Sequence, residues 1–388
     1  MRVSMRKTAL RLVLFYLSLL FALQATAEDQ WQGVQRIVAV GDVHGDFEHF
    51  VDVLRNAGLI NRRRNWIAED THFVQVGDLP DRGPDTDKII ELMQKLEEQA
   101  ERAGGMVHAL LGNHEVMNIY GDLRYVHPGE YEALRSGQSR RLRNDFYDRY
   151  VAQVLANDPE ATIDDALRDQ FNAQVPLGFV EHRAAWSTRG PFGSWVVGHN
   201  TVIKINRTLF LHGGIAPDVV GKSIREINDQ IRAELQGGGS ADALSGGAGA
   251  GQPSLSETET GPLWYRGLAQ NDEAAEQANL DAVLEFYDVD RIVLGHTPSL
   301  STILPRFDGK VILIDTGISE YYGGQLGSLL IENNELIALQ RGETFKIPTG
   351  EEPLLPYFKA ILEVESKSSS LQQIILNLET PPGQSTPQ

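Results

Sequence analysis

Apolar and polar positions alternate along this chain with two different periods. Short β-rich runs at Arg36–Val40, Thr71–Val76 and Val107–Leu111 each end at a glycine, namely Gly41, Gly77 and Gly112. Between the first two, Phe47, Phe50, Val51 and Leu54 recur at helical spacing, which predicts a helix from Asp46 to Ala57 with Gly58 as its stop. Between the second and third, Ile89, Leu92, Met93 and Leu96 form the core-facing stripe of a helix from Asp85 to Ala103, ended by Gly104-Gly105. Strand, helix and strand at this spacing predict βαβ units, in which ligands bind at the carboxyl ends of the strands. From Asp122 to Arg189 the pattern turns polar and helix-leaning, rich in Arg, Asp and Tyr, as expected of an insertion packed over the core. Further strands are expected at Ser194–Ile205, Thr208–Leu211, Arg291–Leu294, Val311–Ile314, Ser328–Ile331 and Glu335–Leu339. Residues 237–253 are glycine-rich and have little to bury, so a flexible loop is expected there. No Gly-Lys-Ser/Thr follows it, so a phosphate-binding P-loop is not supported.

The chain opens differently. Arg2, Arg6, Lys7 and Arg11 precede the apolar run Leu12–Leu23, and Ala25-Thr26-Ala27 follows. This is the pattern of an export signal over residues 1–27. As a helix the run rises about 18 Å, short of the roughly 30 Å hydrocarbon core, although an uncleaved anchor is the rival reading. The expected mature protein starts near Glu28 and has no stable membrane anchor. It is expected to be periplasmic in a Gram-negative bacterium and secreted otherwise. Residues 28–345 then form the main domain, and 346–388 a C-terminal extension disordered at its end.

Composition narrows the chemistry. The 388 residues are 41% hydrophobic and 23% charged, enough to bury a sizeable core. Lys plus Arg number 35 against 53 Asp plus Glu, a formal charge of −18. That balance argues against nucleic acid or an anionic membrane as the partner, and any phosphate-bearing substrate must be drawn in by local positive charge. With no cysteine, disulfides, thiolate metal sites and cysteine nucleophiles are excluded.

Candidate chemistry sits at the ends of the strands, in Gly41-Asp42-Val43-His44-Gly45, Gly77-Asp78-Leu79-Pro80-Asp81-Arg82-Gly83, Gly112-Asn113-His114-Glu115, His212-Gly213-Gly214, Gly295-His296-Thr297 and Trp264-Tyr265-Arg266-Gly267. Each alone is a common turn, and Gly83 and Gly112 read as backbone requirements of tight turns. Their order carries the argument. Asp42 and Asp78 are 36 residues apart and Asp78 and Asn113 are 35 apart, one βα unit each, so all three fall at equivalent strand ends. His212 and His296 arrive at two more. Aspartate, asparagine and neutral imidazole suit Mn, Fe or Zn. A carboxylate such as Asp78 can bridge two ions about 3.5–4 Å apart, and a water between them would ionise near neutral pH and become a nucleophile for phosphorus.

The ordered set GDVHG, GDLPDRG, GNHE, HGG and GHT resembles the calcineurin-like metallophosphoesterases, in their phosphoprotein phosphatase branch. GNHEVMNIYGDLRYV, NTVIKINRTLFLHGGIAP, PLWYRGL and DTG look like the Shewanella-like protein phosphatases within it. The resemblance implies an α/β sandwich of two mixed β-sheets flanked by helices, with the 122–189 helices over the cleft. It implies two divalent ions per chain, Mn²⁺ first and Fe or Zn as options. Asp42, His44 and Asp78 would hold one ion, and Asp78, Asn113, His212 and His296 the other. His114 would be the general acid, oriented by Asp81, while Arg82, Arg266 and Asn113 would contact the phosphoryl group. The implied reaction is hydrolysis of a phosphomonoester by a metal-bridging hydroxide, on a phosphorylated protein (phosphotyrosine or phosphoserine/threonine) or a small phosphomonoester. Leu79-Pro80 and Ile314–Gly324 depart from the eukaryotic Ser/Thr enzymes near the substrate cleft, without removing a ligand. A bis(5'-nucleosyl)-tetraphosphatase sharing the first three motifs is one alternative, and a non-catalytic module that binds a phosphorylated partner is another. His49, His72, His108, His127 and His182 have no ligand context, His199 beside Asn200 reads as structural or surface with the cleft as the alternative, and Asp315 reads as a turn former. Trp264 and Tyr265 read equally as core packing or as stacking on a substrate.

Overall fold

The computed structural model describes residues 28–238, 254–299, 301–365 and 367–379. The expected export signal, residues 239–253 of the glycine-rich loop and the chain end beyond Glu379 lie outside these. Among the described residues no helix is long and apolar enough to cross a membrane.

Two six-stranded mixed sheets face each other. In one, β2 (Arg36–Val40), β3 (His72–Gln75) and β4 (Met106–Ala109) run parallel, while β10 (Gly327–Glu332) lies antiparallel to β2 and leads on to β11 (Glu335–Gln340) and β12 (Glu343–Lys346). The other is ordered β1 (Gln30–Trp31), β5 (Val202–Ile205), β6 (Thr208–Leu211), β7 (Arg291–Leu294), β9 (Val311–Leu313) and β8 (Leu304–Arg306). Side chains alternate across each strand, so the central strands feed two cores. Ile37 and Ala39 of β2, Phe210 of β6 and Val293 of β7 meet between the sheets. Val38 and Val40 instead pack under the helices Phe47–Asn56 and Thr86–Ala103. Leu209, Leu211, Ile292 and Leu294 pack under helices on the opposite side. The result is a helix–sheet–sheet–helix sandwich.

The first two helices form where expected. Asp46 caps the first by accepting from His49 N, and Gly104, left-handed at φ 88°, closes the second. One expectation is corrected. Ser194–Ile205 is not a continuous strand, because a helix spans Pro191–Val197 and the strand begins only at Val202. Pro191 presets the first helical turn, and Phe192 and Val196, one turn apart, bury one face of it. The short strands β1, β8 and β12 carry too few residues to show a period. The C-terminal segment adds helices Leu354–Val364 and Ser369–Glu379, whose Tyr357, Phe358, Ile361 and Leu371 join the core between the sheets.

Residues 122–189 fold as helices Pro128–Ala133, Ser139–Asn157, Asp165–Gln174 and Phe179–Ala185. The last three share a small aromatic cluster of Tyr147, Phe171 and Phe179. The last helix docks the insertion: buried Arg183 donates from Nη2 to Ile119 O at 3.1 Å and from Nη1 to Asn118 O, satisfying carbonyls at the end of the helix Asn113–Tyr120.

Candidate active site

Five parallel strands from the two sheets deliver the motif residues to one edge. Asp42 and His44 follow β2, Asp78, Asp81 and Arg82 follow β3, and Asn113 and His114 follow β4, while His212 and His296 follow β6 and β7. All of these except Arg82 are buried. Asp78 is the centre. Its Oδ1 accepts from His114 N at 2.9 Å, which leaves Oδ2 facing His212 Nε2 at 3.3 Å and His44 Nε2 and His114 Nε2 at 3.8 Å each. Asp42 Oδ2 lies 3.8 Å from His44 Nε2, and Asp42 Oδ1 accepts from His296 N at 3.0 Å. Asn113 Oδ1 is 2.9 Å from His212 Nε2.

The histidines are aimed from behind. His212 Nδ1 lies 2.8 Å from Val76 O and His44 Nδ1 3.3 Å from Pro80 O, so each Nδ1 donates to a carbonyl and each Nε2 faces the site. His44, Asp78, Asp81, Arg82 and His296 all have positive φ, between 48° and 71°. So many left-handed side-chain-bearing residues at one edge is strain held by the surrounding fold. Gly83 and Gly112 have another reason than the turns expected from sequence. A Cβ on Gly112 would stand 2.2 Å from Asp78 Oδ1, and one on Gly83 would meet the backbone of Gly45 at 2.6 Å.

These residues fit a pair of divalent cations. Asp78 with His44 and His114, and Asp78 with His212 and His296, each offer ligand atoms within 4.8 Å of one another. His296 Nε2 is buried with no hydrogen-bond partner among the described residues. Burial and the neighbouring charges of Asp315 and Asp78 hold the Asp42 carboxyl well above its usual range, a repulsion that a cation would relieve. Burial pushes His44 down to about 3, and burial with the charge of His212 pushes His296 well below its usual value, so both are neutral imidazoles. At Asp78, burial pushes upward but is overcome by His212 and His114, and the group stays ionised.

On one flank His114 Nδ1 pairs with Asp81 Oδ2 at 2.6 Å, and Asn118 Nδ2 donates to Asp81 Oδ1 at 3.0 Å. Burial, which lowers the His114 pKa, is outweighed by Asp78 and Asp81, and the group is raised. Arg266 Nη1 donates to His296 O at 2.8 Å and to Thr297 Oγ1 at 3.0 Å. Arg82 Nη1 donates to Tyr321 Oη at 2.9 Å.

The comparison with known proteins decides the family. A model described as calcineurin-like phosphoesterase matches residues 35–300. The chain belongs to that family. An enzyme of this family therefore stands behind the site geometry. An uncharacterized protein of Schizosaccharomyces pombe is 32% identical over 80% of this chain and 82% of its own. Shewanella-like protein phosphatase 2 of Arabidopsis thaliana is 29% identical over 76% of this chain and 74% of its own. The crystal structure of a cold-active protein-tyrosine phosphatase from a psychrophilic Shewanella covers 82% of both chains at 29% identity and a TM-score of 0.61.

Several supporting residues had no role in the sequence reading. Glu115 accepts from the backbone N–H groups of Asp78, Leu79 and Gly112 at 3.0, 2.7 and 2.9 Å, tying two metal-site loops together. Glu130 of the insertion accepts from Asp81 N at 3.2 Å. Glu115 stands in a motif and Asn118 in the run GNHEVMNIYGDLRYV, whereas Glu130 and Arg183 carry no local signal. Asp315 is the turn former expected, accepting from Gly317 N at 3.1 Å. Trp264 packs edge-on to His296 with ring centroids 5.9 Å apart, and Tyr265 donates to Glu276 at 2.8 Å.

Proposed function

We propose that this protein is a dinuclear-metal phosphomonoester hydrolase acting on phosphorylated proteins, with phosphotyrosine as the preferred residue. The observation that carries the reading is the convergence of three imidazole nitrogens on Asp78 Oδ2, flanked by the His114–Asp81 pair. Asp42, His44, Asp78, Asn113, His212 and His296 would hold the two cations, with manganese the first choice. Bound there, such ions supply charge neutralisation for a phosphoryl group and acidify water. Arg82 and Arg266 present guanidinium N–H groups to phosphoryl oxygens, in an otherwise acidic protein. His114 Nε2 donates a proton to the departing oxygen, while Asp81 and Asn118 keep the ring in one orientation. No side chain acts as a covalent nucleophile. The tyrosine preference is supported by the described Shewanella relative and by two tyrosines bordering Arg82.

The deciding experiment assays phosphate release from Ser-, Thr- and Tyr-phosphorylated peptides by metal-stripped protein with Mn²⁺ restored. Release from phosphotyrosine alone supports the proposal, and equal release from all three indicates a broad phosphomonoesterase. No release with metal bound overturns it and directs attention to dinucleoside polyphosphates. Export belongs to the same proposal, and N-terminal sequencing with cell fractionation tests it: Glu28 as first residue supports export with cleavage, and Met1 on a protein confined to the cytoplasm overturns it.

A further inference from the structure

Tyr125 touches both groups that act on the substrate, yet no motif assigns it a role. It lies in the loop between the helices Asn113–Tyr120 and Pro128–Ala133, at the start of the insertion. Its ring centroid is 3.9 Å from Arg82 Cζ and 5.1 Å from the His114 ring centroid, the two ring planes 34° apart. Its carbonyl accepts from Arg82 N at 3.0 Å, where Asp81 and Arg82 run in succession through left-handed backbone at φ 71° and 67°. On the other side, the Tyr321 ring centroid is 4.8 Å from Arg82 Cζ, and Tyr321 itself is 60% exposed.

We propose that Tyr125 is a positioning residue for both Arg82 and His114, and that Tyr321 is the second wall of the bracket around the arginine. The proposal rests on the phosphomonoester-hydrolase reading. An arginine loses side-chain freedom whenever it grips phosphate; one already stacked on an aromatic face has lost it in advance. Stacking uses only the face of the guanidinium, and its N–H groups lie in the plane. At one edge Nη1 holds only the exchangeable hydroxyl of Tyr321, which a phosphoryl oxygen can replace, while Arg82 Nε is buried without a partner among the described residues. The same ring supports His114 and, with Asp81, limits the directions in which Nε2 points. One half-buried tyrosine of the insertion thereby couples phosphate binding to proton donation.

The test uses the metal-loaded protein, with kcat and KM for p-nitrophenyl phosphate and calorimetric Kd for orthophosphate. Tyr125→Phe keeps the ring and is expected within about threefold of wild type in every quantity. Tyr125→Leu is expected to lower kcat about tenfold and weaken orthophosphate about tenfold. Tyr321→Phe is expected to raise KM only, by about two- to threefold. A leucine variant equal to wild type overturns the proposal, and so does a phenylalanine variant as damaged as the leucine one, since the hydroxyl would then be responsible. If the leucine protein melts below wild type, Tyr125→Met takes its place with the same expected losses, and wild-type behaviour there overturns the proposal. Should wild type hydrolyse no phosphomonoester, the hydrolase reading fails by itself, and the orthophosphate affinities still decide the arginine's role.

Discussion

Two clusters of buried histidine lie in this sandwich, and they look alike until their partners are compared. His44 belongs to the strand-end edge, and His108 lies on β4 beside His72 on β3. Burial pushes both His44 and His108 down to about 3, so desolvation alone does not mark a functional histidine. His72 and His108 satisfy each other, Nδ1 to Nε2 at 3.0 Å, and Trp31 packs edge-on against His108 at 4.4 Å. That cluster is closed. At the other edge His44, His212 and His114 each spend one nitrogen on a carbonyl or carboxylate and turn the other toward Asp78. A shared carboxylate, a glycine-cleared space and a strained backbone separate the metal site from the structural pair.

The comparison breaks most easily at its centre. Asp78→Asn is expected to abolish metal retention and lower turnover by roughly a thousandfold or more, read by elemental analysis and phosphate release. The larger lesson would fail if that variant kept both ions. His114→Asn is expected to keep its metal while kcat falls about 10²–10⁴-fold, because only the proton donor is lost; full activity would remove His114 from that role.

The structural pair makes the opposite prediction, in stability rather than turnover. His72 and His108 have folded-state pKa values pushed below the ordinary 6.5 by burial, His108 to about 3. The unfolded chain therefore binds more protons across this window, and stability falls as pH drops from about 6.5 toward 3. For His108 alone the loss is about 2–3 kcal/mol at a pH near 4.5. His108→Gln should unfold less readily on acidification relative to its own neutral-pH stability, as denaturant titrations at two pH values would reveal; an unchanged slope removes His108 as the sensor. Trp31→Leu is the smallest change, about 1–2 kcal/mol less stable with catalysis unaltered. A large activity loss there would show that the two clusters are coupled.

Legibility in the sequence followed locality. Asp42, His44, Asp78, Asn113 and His114 were readable because each follows a strand within a few residues, at a spacing set by one βα unit. His212 and His296 needed the resemblance to be joined to them, since their strands lie in the other sheet. Arg183 and Glu130 were invisible as parts of the site, each an ordinary residue of a polar helical stretch, and Tyr125 stands in the run GNHEVMNIYGDLRYV with nothing there to mark its contacts. The helix at Pro191–Val197 was missed because an apolar run flanked by β-branched residues carries no decisive period over so few positions.

By itself the sequence placed the candidate ligands Asp42, His44, Asp78 and Asn113 at strand ends and set the acidic, cysteine-free background against which a phosphate group would need cations. These follow from residue chemistry and from periodicities of two and 3.6, which act over short distances along the chain. The tertiary structure alone decided that two sheets would bring Asp42 within hydrogen-bond reach of the His296 backbone, that Gly112 must make room for the Asp78 carboxylate, and that a tyrosine from the insertion would pack against both Arg82 and His114. Those contacts join residues distant in sequence, and only packing of the whole chain fixes which of them meet.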